Sequence, residues 1–301
     1  MFAQWFANPL TRLFVGAVII SFSPVWVELV DIPPTSSGFY RVAIGGVVLT
    51  IYLYATGQRF GLSKRVYGIL VLTAIAFAAD LWFWHRSINY VGPGMATLLV
   101  NFQVFFMMLA GALWLNQRPT ARQLFAVPMA LIGLGMIVGF DWASLSSDYR
   151  LGVLLGLATA VAYTCYLLSM RAARMQAKHA LPIREVALMS LGAAILLAGA
   201  AAVEGESLVI PTGIDSFWML NYGIVSHGLG LMLVASSLQK VAPTQVGIAL
   251  LLQPALSVVW DVVFFGRTLT PIEIAGAVLA LLAIYFGGRS STRSVQQSST
   301  G

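Results

Sequence analysis

Apolar segments long enough to cross a membrane fill almost the whole chain, and this limits its fold more than any other feature. A membrane-spanning helix needs about 20 mainly apolar residues, and only short polar segments separate the apolar runs here. Charged residues make up 9% of the 301 residues and apolar residues 59%, whereas soluble domains carry about 25% charged residues. We therefore predict an all-α integral membrane protein with little room for a domain outside the bilayer.

Breaks in the apolar runs predict ten membrane-spanning helices. Pro93, Pro243 and Pro271 each stand at the start of a predicted helix, where the missing backbone N–H leaves no hydrogen bond unmade. The predicted spans are 12–30, 35–56, 66–88, 93–115, 121–140, 150–172, 182–203, 215–238, 243–265 and 271–288.

An internal repeat relates the two halves of the chain. Residues 87–138 align without a gap on residues 237–288 at a constant offset of 150. The aligned pairs include Ser87 with Ser237, Pro93 with Pro243, Gln103 with Gln253 and Thr120 with Thr270. This pattern indicates a duplicated membrane unit. The predicted organisation is a five-helix repeat over 1–140, an external connector over 141–149, a second five-helix repeat over 150–288 and a disordered cytoplasmic tail over 289–301.

The distribution of Lys and Arg predicts how the two repeats are oriented. With the N-terminus in the cytoplasm, thirteen Lys and Arg lie on the cytoplasmic side and three on the other, with Arg41 inside the membrane. This bias favours both termini in the cytoplasm. Because five is odd, the second repeat is inverted relative to the first. Inverted repeats place a binding site near the middle of the bilayer at their interface and are typical of secondary transporters that work by alternating access.

Two ionisable residues inside spans are candidate substrate ligands, because such groups are costly in a membrane and usually face the bundle interior. Asp80, on the third span, could bind a substrate ammonium or carry a coupling proton, or it could be a structural partner of Arg41 or His85. His227 lies near the centre of the eighth span. Its imidazole could donate to a carboxylate or titrate near neutral pH, or it could make a structural hydrogen bond to a neighbouring helix.

Uncharged polar and aromatic residues complete the predicted substrate site. Asn101 and Gln103 are two positions apart and cannot share one helix face, so we expect at most one of them to point straight at the cavity. Gln253 is the repeat mate of Gln103, and this pair could instead join helices as a symmetric structural lock. Trp82 and Tyr163 lie nearer the middle of their spans than the other aromatic candidates and could form cavity walls.

A further set of residues has predicted roles in gating or structure. Pro24 and Pro254 interrupt helical hydrogen bonding inside spans and are candidate hinges. Glu28 and Asp261 lie near the outer ends of their spans, where they could form an external gate or sit at the membrane interface. Arg41 lies at a depth where it could pair with either acid, and we interpret it as structural. His85 is expected in the outer vestibule.

Two helical hairpins carry a resemblance to a known family. They are INYVGPGMATLLVNFQVFFMMLAGALWLNQRPTARQLFAVPMALIGLGMI and LQKVAPTQVGIALLLQPALSVVWDVVFFGRTLTPIEIAGAVLALLAIYFG. They resemble the paired repeat of the drug/metabolite transporter superfamily, EamA branch, and within it most closely the amino acid exporters, including the aromatic amino acid exporter type. Arg41, in FYRVAIGGVVL, is similar to the family's arginine in the second helix. Gln117 and Arg267 stand where family members often carry an acidic residue after the fourth and ninth helices.

The resemblance implies a ten-helix basket around a central cavity that is formed mainly by helices 1, 3, 4, 6, 8 and 9. It also implies export of amino acids or related small metabolites by a multi-pass protein of the bacterial inner membrane. We expect a small-molecule substrate and the lipid bilayer as partners, with protons as a further partner if transport is proton-coupled, no nucleic acid, and a monomer or a weak homodimer.

Other functional classes receive less support from the residues. No HExxH, GxSxG, GxxxxGK[ST] or repeated CxxC motif occurs, which argues against a zinc protease, a serine hydrolase, a P-loop ATPase and a zinc site. We expect no metal and no cofactor, and we expect transport to be driven by a gradient. A passive facilitator or channel remains an alternative, and so does a membrane-embedded enzyme that uses Asp80 and His227.

Overall fold

The computed structural model describes residues 8–114, 120–138, 145–176, 181–241, 246, 249–250 and 252–288. Every regular element in these residues is a helix. Seven helices are long and apolar enough to cross a membrane, namely Pro9–Glu28, Pro34–Ala55, Lys64–Val91, Pro93–Gly111, Ser147–Gln176, Ile183–Glu204 and Gly213–Ser237. Three shorter apolar helices are Leu124–Gly133, Leu252–Phe265 and Pro271–Ala283. Each of these ten segments falls on one predicted span. The predicted tail over 289–301, residues 141–144 of the predicted connector, Gln117 and Pro243 lie outside the described residues.

Several of these segments consist of more than one helical element. In chain order the α-helices are α1 (Pro9–Ser21), α2 (Ser23–Glu28), α3 (Pro34–Ala55), α4 (Lys64–Val91), α5 (Pro93–Val100), α6 (Gln103–Trp114), α7 (Ala121–Val138), α8 (Ser147–Gln176), α9 (Ile183–Glu204), α10 (Gly213–Asn221), α11 (Met232–Ser237), α12 (Leu252–Phe265) and α13 (Pro271–Gly288). A π-helical segment, Tyr222–Leu231, joins α10 to α11.

Helix starts follow the local sequence signals. Pro93 opens α5 and Pro271 opens α13, as predicted. Thr270 and Glu273 form a reciprocal capping box at the start of α13: the Thr270 backbone N–H donates to Glu273 Oε2 (2.7 Å), and the Glu273 N–H donates to Thr270 Oγ1 (3.2 Å). Such a box satisfies backbone donors that the first helical turn leaves free.

Two spans are interrupted, one beside Pro24, as predicted, and one where we predicted a continuous helix. The first span breaks at Phe22, two residues before Pro24, because a proline inside a helix removes one hydrogen bond and crowds the preceding turn. The fourth span breaks at Asn101 and Phe102, which form a turn between α5 and α6. There the Asn101 side-chain Nδ2 donates to the Thr97 carbonyl (2.7 Å), so the side chain competes with the backbone for that acceptor.

The spans pack mainly in pairs. Helix α4 runs along α8, α3 along α9, α7 along α13, and α1 along the π-helical segment and α11. Small residues allow close approach in these pairs. A Cβ added at Gly16 would lie 2.9 Å from the Gly230 carbonyl, and one added at Gly133 would lie 2.7 Å from the Ala280 nitrogen. Glycines at helix crossings are a common feature of membrane bundles.

Apolar side chains cover the outside of the bundle as well as its inside. Ile51, Val71 and Ile195 are each more than 60% exposed, which is the expected arrangement where the solvent is lipid. Inside, two clusters of buried apolar residues lie toward opposite ends. One includes Leu53 and Leu70, and the other includes Ile88 and Met219.

A buried ion pair joins α8 to α9. Arg174 Nη1 lies 2.8 Å from Glu185 Oε1, and both side chains are fully buried. Gln239, just beyond α11, contacts the same arginine: Arg174 Nη2 donates to its Oε1 (3.4 Å), and its Nε2 donates to the Arg174 carbonyl. Nearby, Arg171 donates to the carbonyls of Leu238 and Val241. These contacts hold together the ends of three spans.

His227, in the π-helical segment, is closely packed against α3 and α9. Its Nε2 lies 2.7 Å from Ser190 Oγ, and a Cβ added at Gly45 would collide with its ring. The Ser190 hydroxyl also lies 2.6 Å from the Val186 carbonyl. Since that carbonyl can only accept, Ser190 donates to it and His227 Nε2–H donates to Ser190. The histidine therefore serves as an interhelical hydrogen-bond donor.

We expect Glu185→Gln to lower the apparent melting temperature of the purified protein strongly. Removing one partner leaves a buried arginine without its counter-charge, which typically costs about 3–5 kcal/mol. The control is the double variant Arg174→Met with Glu185→Leu, which removes both charges and should be less destabilised than Glu185→Gln. A double variant that is equally or more destabilised would contradict a charge-burial origin of the effect.

We expect Gly45→Ala to destabilise the protein, because the added methyl group would lie 2.8 Å from the Gly223 carbonyl as well as against the His227 ring. Overpacking of this kind costs about 1–3 kcal/mol. The matched control is Gly68→Ala in α4, where a Cβ meets nothing within 4 Å and alanine favours the helix by about 0.5–1 kcal/mol. Equal melting temperatures for the two variants would refute the close packing.

Candidate functional site

A cavity of about 530 Å³, counted with its opening, lies within the bundle and borders both apolar clusters. Small-molecule sites usually combine apolar walls with a few polar groups. Its walls come from both halves of the chain. The lining residues are Ile20, Ser23, Pro24, Arg41, Phe77, Asp80, Trp84, Thr97, Val100, Asn101, Gln103, Tyr163, Leu231 and Gln253.

Asp80 is the acidic residue of this lining. It lies in the middle of α4 and is 6% exposed. In the described part of the chain, no side chain or backbone N–H donates a hydrogen bond to it, and no cation lies within 4.0 Å of its oxygens. The two structural partners that the sequence suggested, Arg41 and His85, are therefore not bonded to it. A buried carboxylate without a partner is costly, which favours a ligand-binding role.

Arg41 is the basic residue of the lining and is 5% exposed. Its Nη1 donates to the Tyr222 hydroxyl (3.0 Å). Its guanidinium carbon lies 4.9 Å from the centroid of the Tyr222 ring and 5.8 Å from those of Phe77 and Trp84, within the range of cation–π attraction. Arg41 pairs with neither Glu28 nor Asp261 among the described contacts.

A chain of hydrogen bonds through Tyr222 and His85 positions Arg41. His85 Nδ1 lies 2.8 Å from the Leu81 carbonyl, which can only accept, so Nδ1 carries the proton and Nε2 is an acceptor. Tyr222 therefore donates its hydroxyl proton to His85 Nε2 (3.1 Å) and accepts from Arg41. The fully buried His85 thus positions Tyr222 instead of standing in an open vestibule.

Side-chain amides and a tyrosine form the uncharged polar part of the lining. Asn101 and Gln103 both line the cavity, so the expectation that at most one would face it is wrong. The spacing argument assumed a continuous helix, and the turn between α5 and α6 redirects the chain between these residues. Asn101 Oδ1 and Gln103 Oε1 are buried without a hydrogen-bond partner among the described residues. Tyr163 and Gln253 interact with each other in the same wall.

Trp82 and His227 lie outside the lining. The Trp82 indole N–H donates to Glu204 Oε1 (2.7 Å), and Arg86 lies over its ring at 4.0 Å. Arg86 Nη2 also lies 2.6 Å from Glu204 Oε2, so Trp82 belongs to a polar cluster at one end of the bundle. The His227 ring is separated from the cavity by Phe77, whose centroid lies 5.5 Å from that of His227.

The residues predicted for gating divide between the cavity and one end of the bundle. Pro24 lines the cavity, and Pro254 is buried in α12. Glu28 is exposed at the end of α2. Asp261 is buried, accepts from the Gly94 backbone N–H (2.9 Å) and lies 3.3 Å from Arg267 Nη1. Arg267 therefore bridges Asp261 and Glu273, the latter at 3.8 Å.

Sequence reasoning missed Tyr222 and underrated Arg41. Tyrosines in membrane proteins are mostly interfacial or packing residues, and no local signal separates Tyr222 from them. Helix α3 also contributes to the cavity, through Arg41. It is the second span, which was not among the cavity helices that the resemblance implied. In the described ranges, no three His, Cys, Asp or Glu side chains come together in a way that could hold a metal ion.

Comparison with known proteins gives matches over most of the chain. A threonine/homoserine exporter, RhtA, of Escherichia coli (strain K12) is 29% identical over 264 residues, which cover 86% of this chain and 82% of that protein. A Salmonella typhimurium protein named "Probable amino-acid metabolite efflux pump" is 30% identical over 209 residues, or 64% of this chain and 66% of the relative. One solved crystal structure superposes with a TM-score of 0.69 over 93% of this chain and 96% of its own, at 17% identity, and so supports the fold alone.

A family model matches the chain twice, over residues 10–139 and again over residues 150–287. It describes transporters, which agrees with the resemblance of the two hairpins and argues against an enzyme. The two matched segments together span most of the sequence. The chain belongs to the EamA-like transporter family.

Proposed function

We propose that this protein is a secondary transporter that exports amino acids or related small metabolites by alternating access. The observation that carries the proposal is a cavity inside an apolar bundle that holds one buried carboxylate and one buried guanidinium, neither paired with an opposite charge among the described residues. Such a cavity offers complementary charges to a small polar solute. The protein would work in the bacterial inner membrane with both termini in the cytoplasm.

The proposal includes ten membrane-spanning helices in two inverted repeats. The double match of one family model supports the duplication, and the helix pairs support a twofold arrangement. By the offset of 150, α3 corresponds to α9, and α7 to α13, and each of these helices packs along its own mate. The pair of α4 with α8 corresponds to the packing of α1 against the π-helical segment and α11. This correspondence is expected for two repeats related by a pseudo-twofold axis.

The directions of α3 and α9 support an inverted relation. Thr35, at the start of α3, donates from Oγ1 to Oε2 of Glu204 at the end of α9 (2.6 Å). Near the middle of the pair, a Cβ added at Gly46 would lie 3.0 Å from Ser190 Cβ. Corresponding helices therefore run antiparallel, as inversion across the membrane requires.

Matched side chains also support the repeat. Ser87 and its mate Ser237 each donate to a backbone carbonyl near the start of the helix they pack against, Gly152 and Pro9 respectively, at 2.8 Å in both cases. Phe77 and its mate His227 meet each other, which places them beside the proposed axis. Asp80 is one turn from Phe77 on α4, so the cavity lies at the interface of the repeats.

The two ends of the bundle carry contacts that alternating access would have to break and reform. At one end are Arg174, Glu185 and Gln239. At the other end are Arg86, with Glu204 at 2.6 Å and Glu206 at 3.6 Å, and Arg267 with Asp261. The breaks beside Pro24 and Asn101 and the π-helical segment adjoin the cavity. Irregular helical turns of this kind are often found at functional sites.

The names of two relatives support the proposed substrate class. RhtA is named as a threonine/homoserine exporter, and the Salmonella relative as an amino-acid metabolite efflux pump. The cavity's combination of opposite charges, amides and aromatic walls fits molecules of this class. We assign it to amino acids and closely related metabolites.

Counterflow in proteoliposomes tests this function. Vesicles loaded with unlabelled L-threonine, L-homoserine or L-phenylalanine should transiently accumulate the labelled form of a substrate, because an alternating-access protein exchanges the two. A passive channel would equilibrate label without transient accumulation, and an enzyme would change the labelled molecule. Absence of exchange for all proteinogenic amino acids would refute the proposed substrate class.

We expect Asp80→Asn to reduce counterflow and to remove its pH dependence. A carboxylate that holds either a proton or the substrate ammonium couples the two, and its hydrogen bonds to a charged group contribute about 1.5–3 kcal/mol, or roughly tenfold to a hundredfold in binding. Rates measured in acidic and alkaline buffers would test this.

The comparison variant for Asp80→Asn is His227→Gln, which removes the other candidate for proton coupling. Since His227 lies outside the cavity lining, we expect its variant to keep the pH dependence of the wild type. If Asp80→Asn kept the pH dependence of counterflow and His227→Gln lost it, the coupling role would belong to the histidine instead.

A further inference from the structure

We propose that Arg41 binds the substrate carboxylate, and that Arg41 and Asp80 together select zwitterionic amino acids over amines and over N-blocked acids. This inference rests on the proposed function and extends it to the recognised groups of the substrate. In this proposal Arg41, which the sequence analysis interprets as structural, is a specificity-determining residue.

The first argument is the missing counter-charge of Arg41. The side chain is 5% exposed and lines the cavity, yet no carboxylate among the described residues lies within 4.0 Å of its nitrogens. Its buried Nε has no hydrogen-bond acceptor there. Burial of a charge without a partner is strongly unfavourable, so an anion that enters the cavity would gain from meeting this group.

The second argument is that Arg41 is positioned in advance. Tyr222 takes a proton from Nη1, and the rings of Phe77, Trp84 and Tyr222 lie around the guanidinium. Tyr222 is itself fixed by His85. The remaining N–H donors of a planar guanidinium suit a carboxylate, which can accept two parallel hydrogen bonds. A preformed site loses little entropy when the ligand binds.

The third argument is the separation of Arg41 from Asp80. The two groups share one cavity and interact electrostatically, but no Arg41 nitrogen lies within 4.0 Å of an Asp80 oxygen. Two opposite charges that face the same space without touching can each bind the opposite end of a zwitterion. The ammonium group would lie at Asp80 and the carboxylate at Arg41.

The amide groups of the lining fit the same interpretation. Asn101 Oδ1 and Gln103 Oε1 are buried acceptors that lack donors among the described residues. An ammonium group has three N–H donors and Asp80 can accept from only some of them, so amide oxygens could accept the rest. Neither amide oxygen could donate to a carboxylate, whereas Arg41 and the unpartnered Nε2 of Gln253 could, and of these two only Arg41 carries a positive charge.

Ligand analogues test the inference on the purified protein. The probes are L-threonine and L-phenylalanine, their carboxamides, and their N-acetyl derivatives, and the measurements are thermal stabilisation by the ligand and competition with labelled amino acid in counterflow. For the wild type we expect the carboxamides and the N-acetyl derivatives to bind about tenfold to a hundredfold more weakly than the parent amino acids.

Arg41→Gln should lose affinity for the amino acid but not for its carboxamide, so that the ratio of the two dissociation constants approaches one. Arg41→Lys should restore part of the ratio, since it keeps the charge but not the planar pair of donors. Arg65→Gln is the matched control: it removes an exposed arginine at the start of α4 and should leave the ratio unchanged.

Tyr222→Phe gives a second readout that keeps the arginine itself. Loss of the hydroxyl that positions Arg41 should reduce the ratio of the two dissociation constants by about threefold to tenfold. This variant decides the matter if Arg41→Gln does not fold.

Two results would overturn the inference alone: equal binding of amino acid and carboxamide by the wild type, or an unchanged ratio in the Arg41 and Tyr222 variants. In both cases amino acids still bind and the proposed function stands. Failure of the wild type to bind any amino acid would overturn the proposed function as well.

Discussion

The cost of burying polar groups in an apolar bundle governs this structure. Water cannot reach most of the interior, so each buried donor, acceptor or charge needs a partner within the protein. Most have one: Arg174 pairs with Glu185, Ser87 and Ser237 donate to backbone carbonyls, and His227 donates to Ser190. These contacts join helices that apolar packing alone would not orient, because lipid and protein interiors are equally apolar.

Several exceptions to this rule line one cavity, while others, such as Ser37 Oγ and the Tyr166 hydroxyl, lie outside it. Asp80 and Arg41 lack an opposite charge, and the oxygens of Asn101 and Gln103 lack donors among the described residues. All four residues line the same cavity. An unsatisfied group that occurs alone can reflect strain, whereas four that line a common cavity are the basis of the proposal that a ligand supplies what they lack.

Much of the fold could be predicted because the bilayer requires long apolar helices. The spans agree with the described helices to within a few residues, and Pro93 and Pro271 open helices as expected. Prediction was weaker where one residue alters a helix locally. The interruption at Asn101 depends on its hydrogen bond to Thr97, and it brings Asn101 and Gln103 to the same cavity. Of the predicted substrate ligands, Trp82 and His227 instead join helices by contacts with Glu204 and Ser190. These partners are distant in sequence, so the contacts could not be predicted.

The sequence by itself determined that the chain is a helical membrane protein, which segments form its spans, and that one unit occurs twice. These properties depend on local hydrophobicity, on proline and on self-similarity, all of which are visible along the chain. Only the tertiary structure decided which polar residues are satisfied. Arg41 and His85 look equivalent in sequence, but Tyr222, over 130 residues further along the chain, accepts from one and donates to the other. Such partnerships across helices depend on packing geometry, because the residues that meet lie far apart along the chain.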